Sequence, residues 1–287
     1  MKEKDELIND LLKLAFAEDV GDGDHTTLST IPADETGVQQ LIIKEEGILA
    51  GVDMARRVFE FFDPSLKMTV FLEDGARVKP GDVAFKVEGS VRSLLQTERT
   101  MLNIMQRMSG IATTTALYQS KLDGLKTKVL DTRKTTPGMR MLEKEAVKIG
   151  GGTNHRIGLF DMILIKDNHV DFAGGIPQAV KAARDYCHAK GKDLKVEVEV
   201  RNTEEIQQAL DAGADRIMLD NFTPERTAEA VKYIRASARP DVEIESSGGI
   251  TLDTLREYGE CGVDFISVGA LTHSVKGLDM SFKAVKA

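Results

Sequence analysis

The sequence predicts an α/β fold in two parts, and three observations carry that expectation. The first 110 residues or so hold short strand-like pieces punctuated by glycine, at Gly75, Gly81 and Gly89. From Val129 onward, short apolar runs alternate regularly with amphipathic segments. Almost every one of those runs ends in charged, hydroxyl or glycine-rich residues.

Each element follows from its local pattern. Leu7, Ile8, Leu11, Leu12, Leu14 and Ala15 recur at helical spacing, ahead of the loop "EDVGDGDHTT". "VQQLIIKEEGILAG" and "KMTVFLEDGARVKPGDVAFKVEG" alternate Val, Ala and Phe with polar residues, the signature of hairpins in an antiparallel sheet. From Arg92 a long helical pattern runs through "SLLQTERTMLNIMQRMSGIATTTALYQSKL", with methionines and leucines that belong to a core. Six runs then read as strands: "KVLD", "MILIKD", "LKVEVEV", "RIMLD", "VEIESSG" and "DFISVGA". Near-continuous apolar strands alternating with helices imply a buried parallel sheet or a barrel short of the usual eight strands. Thr223 followed by Pro224 marks a helix start, with a hydroxyl cap and a proline whose missing N–H is harmless there.

Composition sets the class. The 287 residues carry a net charge of -8, with 41% hydrophobic and 29% charged residues, the balance of a folded globular protein. An acidic chain is a poor general binder of nucleic acid or membrane surface, which reward a basic field. The opening "MKEKDELIND" is too charged for a signal peptide, and no apolar run reaches membrane-spanning length. Cys187 and Cys261 form neither a disulfide framework nor a zinc spacing, so reduced thiols and a cytoplasmic setting are expected.

In a β/α series, ligand groups gather where all the strand C-termini point to one mouth. Here those ends are Asp131-Thr132-Arg133-Lys134, Lys166-Asp167-Asn168-His169, Glu199, Asp220-Asn221, Ser246-Ser247-Gly248-Gly249 and Gly269 to His273. Between Asp131 and His169 stand seven Lys or Arg against five acids, a local excess of two positive charges. Arginine forks suit carboxylates and phosphates, and lysine acts as a point charge. Arg133, Lys134, Arg156 and Lys166 read as site cations, whereas Lys144 and Lys148 read as surface partners of Glu143 and Glu145.

Glu197 and Glu199 alternate with valines and should share one strand face. An inward carboxylate needs a cation, a metal or a hydrogen-bonded ligand. Glu199 with Asp220 could hold Mg2+ or accept from sugar hydroxyls; ion pairing with the barrel's own lysines is the plainer reading. "SSGGI", read as leading into a helix near Thr251, and "SVGALTHS" are candidate phosphate turns. In "GGTNHR" the glycines allow close backbone approach, and His155 is a general base or a hydrogen-bonding structural histidine. The chain lacks HExxH, CxxC, a Ser-His-Asp order and a GxGxxG fingerprint, so zincin, covalent hydrolase and dinucleotide readings lack support. A cluster of cations, two acids and phosphate turns fits transfer of a phosphorylated sugar to a carboxylated acceptor.

These blocks, with "ERTMLNIMQRMSGIAT" and "DTRKTTPGMRMLEKEAVKIGGGTNHRIGLFDMILIKDNHV", resemble the quinolinate phosphoribosyltransferase family, in order and across essentially the whole chain. The resemblance implies an N-terminal open-faced α/β sandwich (residues 1–111) and an incomplete, six-stranded β/α barrel (112–273), with the tail from about 274 to 287 packing back on the first domain. It implies a homodimer whose sites are shared, with Arg99 reaching the acceptor of the neighbouring subunit. It surrounds the pyridine carboxylates with Arg133, His155, Arg156 and Lys166, turns Lys134 and Lys166 toward phosphoribosyl pyrophosphate, and counts Thr132 among the substrate-binding residues. Glu199 and Asp220 match acids near the ribose hydroxyls and Mg2+; Ser247, Gly248, Gly249, Gly269, Ala270 and His273 match the 5'-phosphate region. The catalytic set so implied is Lys134, Lys166, Glu199 and Asp220. Two rivals stand beside this reading. One is a molybdenum-transport-associated paralogue with another acceptor. The other is a biotinyl or lipoyl carrier, suggested by "LEDGARVKPGDVAFKVEG", which lacks a lysine at the hairpin tip.

Overall fold

The computed structural model describes residues 4–285; the first three positions of the charged opening and the last two of the expected tail lie outside the described residues. In chain order the elements begin α1 (Lys4–Asp19), α2 (His25–Thr30), β1 (Thr36–Ile43), β2 (Gly47–Ile48) and α3 (Val52–Phe62). Next come β3 (Lys67–Val70), β4 (Arg77–Val78), β5 (Val83–Ser90) and α4 (Val91–Ser120). The second part runs β6 (Lys128–Leu130), α5 (Arg140–Ile149), β7 (Ile163–Ile165), α6 (Asp167–Ala173), α7 (Ile176–Lys190), β8 (Val196–Val200) and α8 (Thr203–Asp211). It closes with β9 (Arg216–Asp220), α9 (Pro224–Arg235), β10 (Glu243–Ser247), α10 (Leu255–Glu260), β11 (Phe265–Ser267), α11 (Ala270–His273) and β12 (Met280–Ala284).

Two compact units emerge from these elements. The first comprises residues 1–116, 134–151 and 270–287; the second comprises 117–133 and 152–269.

The first unit is built on an antiparallel sheet in the order β12-β1-β5-β3. The chain end returns as β12 and pairs with β1 from Gln39↔Ala284 to Ile43↔Met280. Phe282 on that returning strand meets Phe59 and Phe85, with ring centroids 6.0 and 6.2 Å away. Burying such side chains is worth about 1.5–3 kcal/mol each, so the tail belongs to this core. Helix α1 buries Ile8, Leu12 and Phe16, while Leu7 and Leu14 face outward at 41% and 65% exposure.

Helix α3 buries Val52, Met54, Ala55, Val58 and Phe59, and its start is capped from afar. Val52 N–H donates to Asp74 Oδ1 at 2.9 Å. Helix α4 spans 30 residues, and its methionines Met101, Met105 and Met108 are buried as the pattern predicts. One expectation on α5 is corrected. Lys148 does pair with Glu145 on the surface at 3.7 Å, but Lys144 is buried (2% exposed). The adjacent Glu143 is turned inward to Arg107 of α4 at 2.7 Å, so this side of α5 is packed rather than solvated.

The second unit is an incomplete β/α barrel: six parallel strands in the order β6-β11-β10-β9-β8-β7. All six are the runs read from the sequence. Thr223 caps α9 as expected, its Oγ1 accepting from Arg226 N–H at 3.3 Å with Pro224 in the first turn. The expected helix near Thr251 instead starts at Leu255 and has six residues.

Register fixes which side chains share the inner face. Glu197 lies opposite Arg216, and Glu199 opposite Met218. Glu243, Glu245 and Ser247 lie opposite Arg216, Met218 and Asp220. Because side chains alternate along a strand, these residues form one polar face across β8, β9 and β10.

Candidate active site

The deepest layer of that face is an ionic plug. Arg216 donates to Glu245 at 3.1 Å and to Glu243 at 2.9 and 3.0 Å, and its guanidinium lies 4.4 Å above the Phe265 ring centroid. Ser267 donates to Glu245 from β11. Glu197 and Glu245 are both fully buried. Burial pushes the Glu245 carboxyl up to about 8, helped by the charge of Glu197. Burial likewise lifts Glu197 to about 7, against the pull of Arg216.

His155 closes this layer from above. Its backbone N–H donates to the buried Asp131 carboxylate at 2.8 Å. Its Nδ1 accepts from Arg156 N–H at 2.6 Å, which leaves the ring proton on Nε2. Nε2 stands 3.1 Å from Glu197 and 3.5 Å from Glu245. Nδ1 is thus hydrogen-bonded, Nε2 is within ion-pair distance of both carboxylates, and the residue is 8% exposed. Ligand atoms of His155, Glu197 and Glu245 lie within 4.8 Å of one another, close enough for a cation. Arg216 already supplies the positive charge there.

The mouth lies one layer up, at the strand ends. Arg156 follows His155 and is half-buried, donating through Nη1 to the Met162 carbonyl at 3.3 Å. Burial and the charge of Arg133 both push the Arg156 guanidinium below its ordinary value. The charge of Arg133 thus bears on Arg156, with Glu197 and Asp161 pulling the other way, and a bound anion would relieve the like-charge part. The turn after Arg156 is shaped by Asp161, which accepts from Ile157 and Gly158 N–H at 2.8 and 2.9 Å.

Lys166 follows β7, at the start of α6, and reaches Glu199 at 2.5 Å, so a lysine of the barrel does pair with this acid. Asp220 ends β9 and accepts through Oδ2 from the Asn221 amide at 2.8 Å. Ser247 lies opposite Asp220 on β10 and leads into Gly248 and Gly249, both left-handed at φ 98° and 64°. Glu199 and Asp220 are hard oxygen donors on neighbouring strands, a chemistry suited to Mg2+. The helix after the Gly-Gly turn is too short to add an N-terminal field, so backbone geometry alone shapes that turn.

The predicted residues therefore fall in two places. Thr132, Arg133, His155, Arg156, Lys166, Glu199, Asp220, Ser247, Gly248, Gly249 and Gly269 belong to the barrel. Arg99, Lys134, Ala270 and His273 belong to the first unit. There Arg99 is exposed on α4, and the Lys134 carbonyl accepts from Thr272 Oγ1 at 2.8 Å, next to His273. Asn221 was placed at a strand end without a role, and sequence reasoning missed Arg216 and Glu245. Their inward parity in "RIMLD" and "VEIESS" was visible, but the register that joins them was not.

The sequence and the architecture have relatives. A family model described as the quinolinate phosphoribosyl transferase C-terminal domain matches residues 111–283, and its N-terminal counterpart matches 24–109. The chain belongs to the quinolinate phosphoribosyl transferase family. It is 45% identical to the chloroplastic nicotinate-nucleotide pyrophosphorylase (carboxylating) of Arabidopsis thaliana, over 95% of this chain and 81% of that protein. Identity to the mitochondrial quinolinate phosphoribosyltransferase (decarboxylating) 2b of Nicotiana tabacum is 42%, over 96% and 82%. The solved nicotinate-nucleotide pyrophosphorylase of Francisella tularensis superposes with a TM-score of 0.89 at 40% identity, covering 99% of this chain and 98% of that one.

Proposed function

We propose that this enzyme of the family transfers phosphoribosyl from phosphoribosyl pyrophosphate to quinolinate and decarboxylates the adduct, giving nicotinate mononucleotide, pyrophosphate and CO2. The observation that carries this reading is the cluster of cations around β6 and β7: Arg133 shortly after β6, Arg156 before β7 and Lys166 directly after β7, with the charge of Arg133 felt at Arg156. Like charges held together suit a dianionic acceptor, and arginine forks suit its carboxylates.

The chemistry assigned to these residues follows from where charge develops. Arg133 and Arg156 hold the acceptor's carboxylates and so aim its ring nitrogen at C1 of the ribose, an alignment step that needs no base. Asp220 and Glu199 hold the ribose end. Lys134 and Lys166 offset the negative charge that grows as the C1–O bond to pyrophosphate breaks. Mg2+, held by Glu199 and Asp220, would neutralise pyrophosphate charge. Once the N–C1 bond forms and CO2 departs, the electron pair of the broken bond stays on C2 as a carbanion that the adjacent positive nitrogen stabilises. A proton, from Lys134 or water, then completes C2. The Ser247–Gly249 turn and the segment Gly269, Ala270 and His273 serve the 5'-phosphate.

Arg99, exposed on α4, fits a homodimer in which it completes the partner's acceptor pocket. Both cysteines are free thiols, which suits a reducing, cytoplasmic setting; no helix among the described residues is long and apolar enough to cross a membrane.

The test is acceptor choice. Protein incubated with Mg2+, phosphoribosyl pyrophosphate and either quinolinate or nicotinate is assayed for nicotinate mononucleotide. Product from quinolinate alone is expected. Product from nicotinate but not quinolinate would overturn the assignment and leave the fold untouched.

A further inference from the structure

Asn221 is the one non-glycine residue among those described with a positive φ, 54°. A side chain in the left-handed region is tolerated best in asparagine and is unusual for any other residue that carries a Cβ, glycine being the unstrained choice. Something other than backbone comfort therefore selects an amide here. Its three contacts say what. The side-chain Nδ2 donates to Asp220 Oδ2 at 2.8 Å. Its backbone N–H donates to the Ser247 carbonyl at 2.9 Å, linking the end of β9 to the end of β10. Gly248 lies so close that a Cβ there would stand 2.2 Å from Asn221 Oδ1 and 3.0 Å from its backbone nitrogen.

One side chain thus touches both halves of the donor end: the acid of β9 and the Gly-Gly turn of β10. The amide occupies Oδ2 of Asp220 and holds the carboxylate in one orientation, with Oδ1 outside that bond. Turned the other way, the amide oxygen would meet a carboxylate oxygen, so the hydrogen bond also fixes which end of the amide faces Gly248. The glycine at 248 is required as much by Asn221 as by its own φ of 98°.

We propose that Asn221 is a positioning residue, which orients Asp220 and sets its gap to the Ser247–Gly249 turn so that the ribose and 5'-phosphate of the donor are gripped together. The inference rests on the proposed function for the identity of the donor, and concerns no group that reacts.

Asn221→Gly tests it, because glycine keeps the left-handed backbone and the N–H to Ser247 while deleting the amide. Removing an outer contact to a ligating carboxylate typically costs 10–100-fold in affinity. Calorimetric titration of phosphoribosyl pyrophosphate with Mg2+ into Asn221→Gly should show binding weakened about tenfold or more, with quinolinate KM within about twofold of wild type. Asn221→Asp, which sets a second carboxylate against Asp220, should bind the donor more weakly still. Unchanged donor affinity in Asn221→Gly overturns the proposal. So does a parallel loss of donor and quinolinate affinity with a lowered melting temperature, which would make Asn221 merely structural. The wild-type titration separates the two levels: if wild type itself binds no phosphoribosyl pyrophosphate, the functional reading fails rather than the role of Asn221.

Discussion

Arg156 shows how one residue acquires its role from neighbours far away in sequence. Its backbone N–H is spent on the His155 ring, whose Nε2 stands 3.1 Å from Glu197 beneath. The guanidinium is left at half-depth, partly desolvated and under the charge of Arg133, with Glu197 and Asp161 pulling the other way. Such a fork gains most from a bidentate anion. Arg133→Ala should therefore raise the quinolinate KM by roughly 10- to 100-fold, the loss of one or two charge-assisted hydrogen bonds. The KM for phosphoribosyl pyrophosphate should move far less, and steady-state kinetics with each substrate varied in turn checks both. The cationic strand end "DTRK" was legible because charge excess and strand-end position are local properties. The inward orientation of the His155 ring was not, since it depends on Asp131, Glu197 and Glu245 from three other strands or strand ends.

At the scale of elements, the barrel strands were readable because runs buried on both sides are nearly continuous in apolar residues. Helix α3 escaped because its capping group, Asp74, lies 22 residues downstream of the N–H it accepts from, so no local start signal exists. Lys144 was misplaced for a related reason: a helix shared with Glu143 and Glu145 shows neither that residues one position apart face each other nor which side another helix covers. The plug of Glu197, Glu245 and Arg216 is the element-level feature with a measurable consequence. Both acids hold protons more tightly when folded than in the open chain, where the ordinary value is 4.5. Their contribution to stability is therefore complete below about 4.5 and is lost as pH rises through the folded values of about 7 and 8. The urea midpoint should fall between about pH 5 and pH 8, and the fall should be shallower in Glu245→Gln. Carboxylates held below their ordinary value, such as Asp264 beside Lys126 and Arg235, act in the opposite sense, and only in more acidic solution.

On the scale of the whole molecule, an acidic chain recruits anions by concentrating a few cations where strand ends converge. The net charge of -8 describes the exterior, which has no bearing on a mouth screened from it over a Debye length of about 8–10 Å. Assembly supplies a second test. On the proposed shared-site dimer, Arg99→Ala and Lys166→Ala should each be nearly inactive alone, yet a mixed and reassorted sample should recover part of the activity, because one hybrid mouth would be intact. Absence of any recovery would place Arg99 outside the partner's pocket. The central claim is that one active centre both forms the N–C1 bond and expels the neighbouring carboxylate. Quinolinate labelled in its 2-carboxylate, turned over with phosphoribosyl pyrophosphate and Mg2+, measures this directly. Labelled CO2 released one for one with nicotinate mononucleotide is the result expected; label retained in a dicarboxylated nucleotide, or no nucleotide at all, would contradict it.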